Sequence, residues 1–181
     1  MATSAVETAK QENGSRYFLE SVIERGVTPD WREMRKIYDS YDASWKSTYE
    51  KQTVAVQKFL GIRKGYTYSR DDGIMPMIEE IAKTECGVSV KDRWNPMDIV
   101  LVKKSMRDVV EGTIKELTNI DGMSKDAKLE LLNAYMRETL NDKVLIGISL
   151  KAIKENKKVA TQELANMAKG SARTTIEYDP G

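Results

Sequence analysis

The 181-residue sequence contains no histidine and a single cysteine, Cys86. Without histidine there is no imidazole for acid–base work, no histidine-based triad and no histidine metal ligand. One cysteine excludes an internal disulfide and a multi-cysteine zinc site. Beside Gly87 and with no histidine to activate it, Cys86 reads as a small, inert side chain. Long hydrophobic runs are missing too. Those around Ile99–Val102 and Val144–Ile148 stop far short of the roughly 20 apolar residues a membrane-crossing helix needs. The opening MATSAVETAKQENGS has no basic stretch leading into an apolar one, so no secretory leader is expected. Charge of one sign is scarce: 29 basic residues face 28 acidic ones, a formal net charge of +1. That excludes a polycation and confines any nucleic-acid surface to a local patch. GIRKGY lacks the spacing of a Walker phosphate loop. An intracellular protein, neither secreted nor membrane-bound, is the expectation.

What is present begins with helix. Phe18, Leu19, Val22 and Ile23 share one face of a helix over Arg16 to Arg25, and Gly26 can end it in the left-handed conformation. Thr28-Pro29-Asp30 is a start signal, with an N-cap hydroxyl, a proline preset for the first turn and an acid at the positive dipole end. Trp31, Met34, Tyr38, Tyr41 and Trp45 then recur at helical spacing, and Tyr49, Val56 and Leu60 extend the stripe, with a break near Asp42. Trp31, Tyr38, Tyr41 and Trp45 could pack within the chain or dock on a partner or a second copy. Residues 61–73 (GIRKGYTYSRDDG) break the periodicity and read as a loop.

The second part alternates strand and helix signals. A short helix carries Ile74, Met77, Ile78 and Ile81 inward, with Pro76 early enough to be tolerated. Ile99-Val100-Leu101-Val102 reads as a buried strand. Two amphipathic helices follow, one on Met106, Val109, Val110, Ile114 and Leu117, the other on Leu129, Leu132, Met136 and Leu140. Asp121-Gly122 turns between them and Ser124 caps the second. Val144–Ile153 is the clearest strand, with Ile146, Ile148 and Leu150 on one side and Gly147, Ser149 and Lys151 on the other. A last helix is expected over Thr161 to Lys169, and an edge strand over Thr174 to Ile176. The expected architecture is α+β: a helical N-terminal region over 1–72, then a core over 73–181 with a small mixed sheet flanked by helices.

Two groups could carry chemistry. Asp98 opens the first strand, and Lys151 lies near the end of the second. An acid at the mouth of one central strand and a lysine on its neighbour can share a site, the carboxylate holding magnesium and the lysine meeting phosphate. The 61–73 segment interleaves Arg63, Lys64 and Arg70 with Tyr66 and Tyr68. Cations meet phosphates there and rings stack on unpaired bases, although Asp71 and Asp72 partly cancel the field. Bland readings stand beside these. Asp98 fits a turn acid after Asn95-Pro96, Lys151 a strand-end lysine, Glu79 and Glu80 a solvated helix face, and the tyrosines packed side chains.

Pro96-x-Asp98 and Ser149-x-Lys151 together resemble the signature of the PD-(D/E)xK nuclease superfamily, whose members cut DNA or RNA with a metal ion. The wider pattern, Trp94-Asn95-Pro96-x-Asp98-Ile99, then Leu132-Asn133, then Ile146-Gly147-Ile148-Ser149-Leu150-Lys151, is similar to small proteins of tailed phages. The resemblance spans roughly Met75 to Lys151. It implies catalytic roles for Asp98, Lys151, Glu80 and Ser149, magnesium on Asp98 and Glu80, a nucleic-acid partner, and the host cytoplasm or a virion as location. Two features depart from it. Ser149 stands where the superfamily has an acid, with Glu79, Glu80 and Asp92 as substitutes, and helices separate the two strands. A core that binds nucleic acid without cutting it, or a structural protein assembling through its aromatic helices, are the other expectations.

Overall fold

The computed structural model describes residues 5–37, 43–61, 64–89, 94 and 97–150. Up to Ser149 the chain forms two compact units that meet at Gly65 and Tyr66, not at the 72/73 boundary the periodicity implies. The difference arises because Tyr66–Ser69 is a strand of the second unit rather than loop.

In the first unit, α1 (Ala5–Glu20) runs into a π-helical turn, Ser21–Arg25, which Gly26 ends at φ 71°. The helix thus begins well before Arg16. α2 (Trp31–Ile37) is capped by Asp30, not Thr28: the Asp30 carboxylate accepts from the Arg32 amide at 2.8 Å. α3 covers Ala43–Leu60. Phe18 of α1, Met34 of α2 and Tyr49 of α3 form the centre, with Trp31 and Trp45 packed against them. The rings of Phe18 and Trp31 lie 5.7 Å apart, those of Phe18 and Tyr49 5.9 Å, and those of Trp45 and Tyr49 6.2 Å. Much of the α1–α3 contact is polar. Ser15 Oγ donates to Gln52 Oε1 at 2.8 Å, and the Tyr49 hydroxyl reaches Gln11 Oε1 at 2.8 Å. Trp31 and Trp45 are therefore half-buried members of this unit's own core, the packing within the chain that the stripe allowed; Tyr38 and Tyr41 lie outside the described residues.

The second unit holds an antiparallel sheet in the order β1 (Tyr66–Ser69), β2 (Ile99–Lys103), β3 (Leu145–Ile148). The fold class is α+β, but the described sheet is wholly antiparallel rather than mixed. Helices replace tight turns between its strands: α4 (Ile74–Thr84) joins β1 to β2, and a 3-10 turn (Lys104–Met106), α5 (Arg107–Thr118) and α6 (Lys125–Asn141) join β2 to β3. All three helices cover one face. Ile74 and Ile78 of α4, Val110 and Ile114 of α5, and Leu132 and Met136 of α6 pack with Val100, Val102 and Leu145. Each such fully buried aliphatic contributes about 1.5–3 kcal/mol. Ile99, Leu101, Ile146, Ile148, Tyr66 and Tyr68 alternate onto the second face and are buried too. Burial on both sides is why β2 reads as an unbroken apolar run.

One expected cap is present, together with one local anchor that sequence reading does not reveal. Ser124 Oγ accepts from the Ala127 amide at 3.3 Å and caps α6. Ser69 Oγ accepts from the Met75 amide at 3.0 Å and donates to the Asp72 carbonyl, anchoring the start of α4. No described helix is long and apolar enough to cross a membrane. The expected helix at 161–169 and edge strand at 174–176 lie outside the described residues.

Candidate functional site

Asp98 and Ser149 meet at one end of the sheet. The β2–β3 register pairs Ile99 with Ile148, and one step further the Asp98 amide donates to the Ile148 carbonyl at 2.9 Å. That step sets the two side chains next to each other, and Ser149 Oγ donates to Asp98 Oδ2 at 3.4 Å. By alternation both lie on the helix-covered face with Val100 and Gly147. The site is therefore made by strand pairing alone, although the paired residues are far apart in sequence. Pro96, Asn95 and Lys151, which the motif includes, and the substitute acid Asp92 lie outside the described residues.

Glu80 does not join this pair. It is exposed, two residues beyond the fully buried Ile78, which is about 200° round the helix and on the side turned from the sheet. Its position gives no support to its reading as a metal ligand. Glu79 instead is half-buried with Oε1 out of solvent. Among the described residues, no three histidine, cysteine, aspartate or glutamate side chains converge as a metal-holding group. One carboxylate and one neutral hydroxyl make a poor donor set for a hard cation. Nor does Cys86 offer a thiolate: burial pushes its thiol above the ordinary value, with Lys128 pulling the other way.

The basic, aromatic segment is also corrected. Tyr66 and Tyr68 are strand residues only 2% and 6% exposed, so their rings are not presented to unpaired bases. Tyr66 spends its hydroxyl on the Lys143 carbonyl, donating at 2.7 Å. Arg70 is ion-paired with Asp71, Lys64 is exposed, and Arg63 lies outside the described residues. Tyr-Thr-Tyr-Ser carries the two-residue alternation of a strand, and that signal distinguishes it from a loop.

Trp94 and Asn133 form a polar tie that motif reading alone does not reveal. Trp94 Nε1 donates to Asn133 Oδ1 at 2.9 Å, joining the segment before β2 to α6. Asn133 is 1% exposed, and its Nδ2 has no hydrogen-bond partner among the described residues. Trp94→Phe keeps most of the ring's packing but leaves Oδ1 without its donor, and should cost about 1–3 kcal/mol. Asn133→Leu in the same background should recover part of that loss, a double-mutant coupling that urea denaturation measures. Additive losses would show that the bond does not tie the two segments.

No protein-family model, curated protein or solved structure matches this chain.

Proposed function

We infer that the second unit is a degenerate nuclease-like core that binds nucleic acid without cutting it. The observation that carries this reading is the Asp98–Ser149 pair. The resemblance assigns a nuclease's metal to this acid, and the position it would give the second acid holds a hydroxyl directed at the first. A hydroxyl that gives its proton to the carboxylate occupies a lone pair a cation would use and brings no charge of its own. The residues do not fit a magnesium site, and no hydrolytic step is assigned to them.

The test pairs binding with cleavage. The full chain should bind labelled DNA or RNA oligonucleotides with an affinity that falls steeply as salt rises. Plasmid and single-stranded DNA should stay intact in magnesium or manganese. Asp98→Asn should leave binding undiminished, or tighten it by up to about threefold through loss of a negative charge. Magnesium-dependent nicking abolished by Asp98→Asn would restore the enzyme reading. An absence of salt-dependent binding to any nucleic acid would remove the binding reading itself.

A further inference from the structure

A carboxylate with no cation repels phosphate, so a binding-only core must hold its ligand somewhere other than on Asp98. The opposite end of β2, about 17 Å away at strand rise, is basic. Lys103 closes β2 and is exposed, and Lys104 opens the 3-10 turn and is exposed as well. The Lys103 amide donates to the Val144 carbonyl at 2.9 Å, which places Lys143, the residue before Val144, at the same end.

Lys143 is held there against its backbone preference. It is the only described non-glycine residue with positive φ, at 56°. The cause is the way α6 ends. The Val144 amide donates to the Thr139 carbonyl at 2.8 Å and the Lys143 amide to the Leu140 carbonyl at 3.0 Å. These two bonds define a Schellman cap, whose left-handed position is ordinarily glycine. The Tyr66 hydroxyl fixes the same peptide by donating to the Lys143 carbonyl. Local structure therefore asks for glycine and carries a lysine, a cost that folding alone does not explain.

The acids nearest this end in sequence are Asp108 and Glu111 at the start of α5, and Glu138 and Asp142 at the end of α6. Glu111 is held by Arg107 at 2.8 Å, and Asp108 lies in the first turn of α5, where the helix dipole favours an acid. We propose that Lys103, Lys104 and Lys143 form the surface on which this core holds the phosphate backbone of a nucleic acid. The assignment rests on the binding reading above and adds where the ligand sits. A backbone of closely spaced phosphates engages several lysines with one segment, which an isolated carboxylate does not.

The experiment measures fluorescence anisotropy of a labelled DNA duplex and a single strand against salt, using the full chain. Wild type is compared with Lys103→Ala, Lys104→Ala, Lys143→Gly and the triple variant. Each lost phosphate contact on duplex should lower the slope of log affinity against log salt by about 0.9, and affinity at 0.1 M salt by about eightfold. The triple variant should lose roughly several-hundredfold. Lys143→Gly is the decisive single change. It should weaken binding while its melting temperature stays level or rises, because glycine suits the cap. A purely structural lysine would not separate the two in that way. Duplex binding with unchanged slope in the triple variant overturns the placement and leaves the binding reading standing. No binding by wild type overturns both. Lysine-dependent capture of phosphatidylserine vesicles without duplex binding overturns the choice of nucleic acid.

Discussion

Tyr49→Ala is expected to cost the N-terminal unit about 3–5 kcal/mol, the range for deleting a fully buried aromatic ring. Tyr49 is 0% exposed, and its ring stacks with those of Phe18 and Trp31 and lies tilted against that of Trp45. Its removal opens a cavity at the junction of α1, α2 and α3. It also leaves Gln11, itself buried, without the hydroxyl that reaches its side chain and carbonyl. Tyr49→Phe separates the two contributions. The ring stays, the donor goes, and the expected cost falls to about 1–3 kcal/mol. Adding Gln11→Leu to Tyr49→Phe should recover part of that, since the side-chain acceptor goes with the donor and only the main-chain carbonyl loses this partner. Guanidinium denaturation followed by tryptophan fluorescence in a Trp94→Phe background reads the unit, because the two remaining tryptophans, Trp31 and Trp45, lie in the stack. Equal losses for Ala and Phe would mean that the hydroxyl, not the ring, holds the helices together.

That stack shows what spacing conveys and what it leaves out. Trp31, Met34, Trp45 and Tyr49 fall on helix faces that the three-and-four rhythm identifies correctly. The rhythm does not say which helix covers the face. Phe18 does so, from a helix whose contact with α3 is largely polar, through Gln11, Ser15 and Gln52. Such a helix gives little hydrophobic periodicity before Phe18, which explains why its first eleven residues are not legible as helix. β1 is hidden for another reason. It is four residues long, and the cations and glycines around it resemble a binding loop, so the Tyr-Thr-Tyr-Ser alternation is easily passed over.

The candidate site divides along the same line. Asp98 and Ser149 were locatable because each borders an apolar strand, and strands buried on both faces stand out in a sequence. Their adjacency depends on an antiparallel register that no local signal states. Glu80's outward position follows from the phase that Ile74 and Ile78 already set in the sequence, and only the superfamily resemblance points it at a metal. Lys143 is the least legible of all. Its significance is a dihedral angle created by a helix cap, and a lysine after Asp142 carries no sequence sign of it.

Gly147 gives a second sharp expectation, because propensity and packing oppose each other there. Glycine in a strand is unfavourable, and valine is preferred to it by up to about 1 kcal/mol. Yet a Cβ on Gly147 would overlap Sδ and Cγ of Met97, whose side chain lies across the strand and packs against the core. Gly147→Val should therefore cost about 3 kcal/mol, overpacking outweighing the propensity gain. Met97→Ala alone opens space and should cost about 2 kcal/mol. Combined, the two changes should be clearly less damaging than their sum, with a coupling of about 1–3 kcal/mol, since the valine fills what the methionine vacates. Thermal and urea denaturation of the four proteins close the cycle. Ser149 lies two residues on and borders the same packing, so the single valine variant should also disturb the Asp98–Ser149 bond, whereas the double variant restores it. Strict additivity would mean that Met97 swings aside freely. The glycine would then be explained by neither packing nor propensity.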